Sequence, residues 1–181
     1  MNHRAMSFLA AALVLIAAGF SNAAKAEATG VSRIPAPGGE VVFANPGERE
    51  EMYDKLTYAA ARRAGDFVFL SGVETGPLPG EGTDPAAFKL QLHRAFDAIQ
   101  ASLTASGADF SQVVQMQTFH VCKTPLFNGD FNAQLEALIA VKSEYMKPPY
   151  STWTALCIDR LYSDNSVVEI QMTAYAPRPH P

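Results

Sequence analysis

Pro149-Tyr-Ser-Thr-Trp-Thr-Ala-Leu-Cys-Ile-Asp-Arg-Leu161 is the stretch whose reading decides the fold. The prolyl pair Pro148-Pro149 ends any helix in front of it, because proline lacks a donor and pushes its predecessor out of helical geometry. Beyond the prolines, Ser151 to Ile158 reads as a half-buried strand, mixing β-branched, aromatic and aliphatic residues. Trp153, the single tryptophan, sits near its start.

Working outward from this strand, apolar periodicity assigns the neighbours. Phe131, Leu135, Leu138, Ile139 and Tyr145 fall at helical spacing and predict a helix ending at the prolines. A turn over Pro125 to Asp130 precedes it. Val113 to Cys122 alternates as a strand, with Val114, Met116, Thr118 and His120 on one face and Val113, Gln115, Gln117, Phe119 and Val121 on the other. Further upstream, Asp84-Pro85 is a helix start, a capping carboxylate followed by proline at the first helical position. Phe88, Leu92, Ala95, Phe96, Ile99 and Leu103 give that helix an apolar stripe, and Gly107 is its stop signal. Thr57 to Ala64 and Phe67 to Ser71 read as a hairpin joined at Ala64-Gly65-Asp66, followed by a loop from Val73 to Asp84. Downstream, Val167 to Ala176 is the last strand, with Glu169, Gln171 and Thr173 on its polar face. The order strand, strand, helix, strand, helix, strand, strand predicts an α+β layer, a mixed sheet with two helices on one face.

Several of these anchors, in this order, resemble the Rid (YjgF-type, RidA-like) family. They are Ala64-Gly-Asp-Phe-Val-Phe-Leu-Ser-Gly72, Leu103-Thr-Ala-Ser-Gly107, Val113-Val-Gln-Met116, the Pro149–Leu161 stretch and Val168-Glu-Ile170. The resemblance covers residues 57–176 and implies a chorismate-mutase-like fold assembled as a homotrimer. Two cysteines cannot make a tetrahedral zinc site alone, and His93, His120 and His180 show no ligand spacing, so no metal is expected, nor a cofactor. The resemblance also implies a site. The family's tyrosine before the hairpin matches Tyr58, and its Ser-Gly step matches Ser71 and Gly72. An asparagine opening the second helix matches Asn132, and the glutamate that positions water matches Glu169. Thr154 and Ala155 fall where the family offers backbone groups to its substrate. One departure matters. Active relatives write the signature strand as Pro-Ala-Arg-Thr/Ser-x-Val-x-Val-x-x-Leu, and their arginine grips the substrate carboxylate. Trp153 stands at that position.

The chemistry explains what the departure costs. Hydrolysis of an imine needs a held water that attacks the carbon, and a carboxylate can orient that water and move its proton. A guanidinium clamps a carboxylate in two places, whereas tryptophan offers one N–H and an apolar face. Arg62, Arg63 and Arg160 are the only nearby candidates to replace it. Three readings follow. The chain binds a small molecule in clefts between subunits and hydrolyses an enamine or imine that lacks the usual carboxylate, or it is a non-catalytic ligand-binding or interaction protein on the same trimer, or it is the standard 2-imino-acid deaminase with another arginine in place of the missing one.

The first residues read as an export signal. Asn2-His3-Arg4, an apolar run from Phe8 to Phe20 and Ala24-Lys25-Ala26 form a signal peptide over 1–26, with cleavage after Ala26. That places the chain in a periplasm or outside the cell, with no membrane partner after cleavage. Residues 27–56 are rich in proline, glycine and charge and read as an arm or loop, with Val41-Val-Phe43 as a short edge strand. Residues 177–181 are a flexible tail. The formal charge of −4, with no basic run, leaves no footprint for nucleic acid. Cys122 and Cys157 both fall in strands, and the spacing leaves open whether they pair or pack as free thiols.

Overall fold

The structure is a computed structural model and describes residues Gly30 to Arg178. The expected signal peptide and the end of the tail lie outside the described residues. The chain forms one mixed sheet: β1 (Ser32–Ala36), β2 (Gly39–Phe43), β3 (Ala61–Ala64), β4 (Phe67–Leu70), β5 (Val73–Thr75), β6 (Val113–Val121), β7 (Thr152–Ile158) and β8 (Val168–Tyr175). Strand order is β1-β2-β3-β4-β8-β6-β7, and β5 also pairs with β8. Every pairing is antiparallel except β6 with β7. That parallel pair needs a crossover, and helix α2 (Phe131–Tyr145) supplies it. Helix α1 (Pro85–Ala105) joins β5 to β6.

Local chemistry explains both helices. Asp84 caps α1 by accepting hydrogen bonds from the backbone N–H of Ala86 and Ala87, with Pro85 behind it. The expected stripe from Phe88 to Leu103 is buried, and Gly107, at φ 72°, carries the chain away. Asp130 caps α2 through the N–H of Ala133. The buried stripe of α2 differs from the expected one. Gln134, Ala137, Leu138 and Val141 face the sheet, while Ile139 is 48% exposed and Phe131, Leu135 and Tyr145 are half-buried. A polar side chain takes a core position because Gln134 accepts a hydrogen bond from His120 below it, so hydrophobicity alone set the wrong phase.

Four further expectations change. Residues 30–56 are not an arm. Within them β1 and β2 form a hairpin whose turn uses Pro37 and Gly38, the latter at φ 75°, and β2 pairs with β3. The edge strand is therefore β1, and Val41, Val42 and Phe43 are buried. The breakers that read as an arm or loop are the turn itself. A π-helical segment, Glu48–Lys55, follows. The strand expected from Thr57 starts only at Ala61, and the loop expected from Val73 contains β5. Finally, β6 is bulged at Val114, because Val113 pairs with Ala174 and Gln115 with Thr173. Val113 therefore turns into the core and Val114 is 43% exposed, reversing the expected alternation at that end.

The helices cover one sheet face, where Val68, Leu70, Met116, Ile170 and Met172 form the core with α1. The other face carries Phe67, Phe69 and Tyr175, whose rings contact one another and remain 42%, 46% and 45% exposed. Cys122 and Cys157 form a disulfide with Cα atoms 5.5 Å apart, fastening the far end of the parallel pair. Arg63 is buried without a carboxylate partner and donates instead to the carbonyls of Ser106 and Ala176, tying the end of α1 to the end of the sheet. Among the described residues no helix is long and apolar enough to cross a membrane.

Candidate functional site

The sheet has a flaw beside β8, and the site is built on it. β4 pairs with β8 as far as Phe69 opposite Thr173, and β5 rejoins at Val73 opposite Ile170. Ser71 and Gly72 occupy the break. Ser71 is pinned there: its N–H donates to the Ala60 carbonyl at 3.0 Å and its hydroxyl to the Ala59 carbonyl at 2.7 Å. Gly72 leaves room for Glu169, whose carboxyl would overlap any Cβ placed on it. The sequence thus reserves space for one carboxylate by omitting one methyl group.

A cavity of about 780 Å³ opens over this break. Ser71, Gly72, Glu74, Glu169 and Gln171 come from the sheet, and Ala98 and Ser102 come from α1. The remaining wall is the π-helical segment and its exit, with Glu48, Met52, Leu56 and Tyr58, closed by Tyr162. Thr57, at φ 58°, adopts a left-handed conformation costly for a β-branched residue and sets the direction in which Tyr58 leaves the segment. The Tyr58 N–H returns to the Met52 carbonyl at 3.1 Å.

The electrostatics are acidic. Three carboxylates, from Glu48, Glu74 and Glu169, line the cavity, and among the described residues no lysine, arginine or histidine does. Burial holds the Glu169 carboxyl above the usual range, and the neighbouring Glu74 adds to the effect. Burial also raises Glu48, although the backbone N–H of Ala44 and the Asn45 amide donate to it. The Tyr58 hydroxyl is raised by burial first, then by Glu74 and Glu169. No group of three or more His, Cys, Asp or Glu side chains among the described residues is placed to hold a metal ion.

Of the residues singled out in the sequence, the structure brings together Tyr58, Ser71, Gly72 and Glu169. It does not bring Asn132, Trp153, Thr154 or Ala155 to the cavity. Asn132 is exposed in the first turn of α2. Thr154 and Ala155 lie on β7, two strands away from β8. Trp153 is placed apart from Glu169 within the protomer. It pairs with Met116 on the helix-covered face, whereas Glu169 points from the open face. Within one protomer the indole and the carboxylate are therefore on opposite sides of the sheet, and no single crevice holds both. The physical reason is strand alternation, since the register aligns Glu169 with Phe119 and Trp153 with Met116, three residues earlier on β6.

Trp153 is instead the end of a buried hydrogen-bond chain. Its Nε1–H donates to Thr118 Oγ1 at 3.0 Å, and Thr118 meets His120 Nε2 at 3.0 Å. His120 Nδ1 lies 3.1 Å from Gln134 Oε1, and the Gln134 amide donates to the Val121 carbonyl at 3.2 Å. The directions follow from that last bond. The Gln134 oxygen can only accept, so His120 carries its proton on Nδ1, and its bare Nε2 accepts from the Thr118 hydroxyl. Burial lowers the His120 pKa, so the ring is held neutral. Lys142 Nζ lies 5.1 Å from the centre of the tryptophan ring.

None of the candidate replacement arginines reaches the cavity. Arg62 donates to the Pro37 carbonyl, Arg63 is enclosed by backbone carbonyls, and Arg160 pairs with Asp164. Sequence reasoning missed Glu74, Tyr162 and the π-helical wall. Only Glu74 left a signal: two positions beyond Gly72, strand alternation puts it on one face with its partner Glu169 once β5 is known.

Comparison with known proteins agrees with this architecture. The family model described as Endoribonuclease L-PSP matches residues 49–176. The RutC family protein YjgH of Escherichia coli K12 is 35% identical over 112 residues, covering 61% of this chain and 78% of that protein. A solved structure of protein YJGH matches at 32% identity with a TM-score of 0.55, covering 71% of this chain and 91% of that one. RidA from the Antarctic bacterium Psychrobacter sp. PAMC 21119 matches at 27% identity with a TM-score of 0.52, over 66% of this chain and 88% of that one. With its mixed sheet, its two covering helices and its Ser-Gly break beside a strand glutamate, the chain belongs to the Endoribonuclease L-PSP family, the YjgF/RidA-type proteins.

Proposed function

We propose that this chain binds a small, partly apolar molecule over the Ser71–Gly72 break and hydrolyses a carbon–nitrogen double bond in a substrate without a carboxylate. The observation that carries the reading is the Glu169 carboxylate, seated against Gly72 in a cavity that no arginine or lysine of the described residues lines. Glu169 orients a water and takes its proton as the water oxygen bonds to the iminium carbon. The resulting carbinolamine collapses with departure of the nitrogen, so that the iminium and one water give a carbonyl compound and ammonium. The raised pKa of Glu169 suits a group that must both accept and return a proton.

The test is ammonia release from freshly generated imines of matched size, with and without a carboxylate. Release from the uncharged imine, lost in Glu169→Gln, is the expected result. Release that is equal in the variant overturns the role of Glu169.

A second reading is favoured by Trp153. The position that an arginine occupies in active relatives is committed here to Thr118 and the core, which supports a non-catalytic ligand-binding protein on the same scaffold. Absence of ammonia from every imine, with ligand binding retained, selects this reading.

We also propose a homotrimer whose clefts lie beside the open sheet face, and export to a periplasm or the exterior. The exposed Phe67, Phe69 and Tyr175 patch supports assembly. The Cys122–Cys157 disulfide supports an oxidising compartment. Mass in solution and cell fractionation test the two. A monomer at micromolar concentration overturns the first, and retention of the full-length chain in the cytoplasm overturns the second.

A further inference from the structure

We propose that Glu74 is the specificity-determining residue of this site: its fixed carboxylate, directly across the ladder from Glu169, makes the cavity select small molecules that carry a cationic nitrogen and reject carboxylates. The inference rests on the cavity being the ligand site and deepens that reading by naming the ligand's charge.

Glu74 on β5 and Glu169 on β8 are register partners, so their side chains leave the same face at neighbouring positions. Two carboxylates placed directly opposite each other ordinarily repel and swing apart. Glu74 cannot swing. The backbone N–H of Tyr162 and of Ser163 each donate to it at 3.1 Å, and the Ser166 hydroxyl donates at 2.7 Å. Glu169 is confined from the other side by the space over Gly72. The fold therefore holds two acids together and supplies no cation to separate them. A carboxylate has about four acceptor positions, so three donors leave Glu74 able to accept from a ligand.

The surroundings agree from every side. Glu48 faces the cavity from the π-helical segment, the Tyr58 and Tyr162 side chains line it, and α1 contributes only the uncharged Ala98 and Ser102. Tyrosine ring faces attract cations. An ammonium or iminium placed here offsets the repulsion between the two acids, whereas a carboxylate adds a further like charge. Burial holds the Glu169 carboxyl and the Tyr58 hydroxyl up, and the charge of Glu74 adds to both.

Calorimetric titration of the disulfide-bonded protein with benzylammonium, benzyl alcohol and benzoate separates charge from shape. Benzylammonium is expected to bind about tenfold or more tightly than benzyl alcohol, as partly buried charge pairs do, and benzoate most weakly. Glu74→Gln keeps an acceptor oxygen for the loop and is expected to abolish the preference. Ser163→Ala keeps the backbone N–H that donates to Glu74 and leaves the charge unaltered, and it is expected to retain the preference. The Glu169 carboxyl, followed by carbon NMR, is expected to titrate at lower pH in Glu74→Gln, a change that a purely structural role would not produce. In the unsubstituted protein, added salt is expected to weaken benzylammonium and leave benzyl alcohol unchanged. Equal binding of cation and alcohol, a preference surviving in Glu74→Gln, or salt-independent binding of the cation overturns the proposal while leaving the site in place. Binding of none of the three probes overturns the cavity reading and this proposal with it.

Discussion

The two faces of β8 and its neighbours treat polar groups in opposite ways. On the helix-covered side, Trp153, Thr118, His120 and Gln134 form a chain in which each group hydrogen-bonds to the next. On the open side, Glu169 and Glu74 face each other with no cation between them. The first arrangement is closed: its groups are spent on one another and hold α2 on the sheet. The second is unfinished, and an unfinished set of charges beside a cavity is what a ligand can complete. Tryptophan in the signature strand therefore reads differently from its first appearance. It belongs to the closed set, and the proposed ligand site is on the other side.

This contrast can be broken by moving one group at a time. The largest effect is expected for Glu169→Gln, which should lower imine hydrolysis by about 10²–10⁴-fold, the range for loss of a positioned acid–base group, while leaving the protein no less stable to denaturant at neutral pH. Thr118→Val should do the reverse. It strands the indole N–H and the bare His120 nitrogen in the core, each worth about 1–3 kcal/mol, and urea unfolding should register that loss while cavity binding persists. Replacing Cys122 and Cys157 together by serine opens a loop between residues 35 apart in sequence, and the chain-entropy model puts the destabilisation at about 4 kcal/mol or less. Gly72→Ala sharpens the comparison from the open side. It displaces Glu169 and should weaken ligand binding about tenfold, the effect of a misplaced catalytic group, at little cost to stability because the displaced atoms end a flexible side chain.

The smallest effect, and the most diagnostic, is in the pH dependence of unfolding. His120 is lowered by burial, so its contribution to stability is present above the unfolded histidine pKa and is lost as pH falls, because the unfolded chain takes up the proton first. Glu169 is raised by burial and by Glu74, so its contribution is present below the unfolded carboxylate pKa and is lost as pH rises through the folded one. The two faces thus tilt stability in opposite directions. His120→Gln should flatten the limb just below pH 6.5, about the ordinary histidine value, and Glu169→Gln should flatten the limb above the ordinary carboxylate range. Denaturation midpoints across pH check both, and identical profiles in either variant and the parent chain would falsify that assignment.

Much of the fold was legible because local signals agreed. The Asp84-Pro85 start, the six-residue apolar stripe of α1 and the Ala64-Gly65-Asp66 turn each follow from short-range chemistry, and each is present. Where the reading slipped, a long-range partner had intervened. Gln134 sits in the core because His120 needs an acceptor, which turned the face of α2. Pro37 and Gly38 read as breakers although they make a hairpin turn, since turn and loop share a composition. At the site, Tyr58, Ser71, Gly72 and Glu169 came from the resemblance and from strand polarity, whereas Glu74 was hidden in a stretch taken as loop. The Trp153 position was readable as a departure, but its side of the sheet was not.

By itself the sequence determined an α+β layer with two long helices, the Asp84 cap of α1, the prolyl stop after α2, and a tryptophan near the start of the signature strand. Those depend on residue type and on spacings of a few positions, which one chain displays directly. Tertiary structure alone decided that Trp153 and Glu169 point to opposite faces, that Cys122 meets Cys157, and that Glu74 stands across from Glu169. Each of these depends on the register between strands remote in sequence, and a shift of one residue in that register exchanges the two faces of a strand.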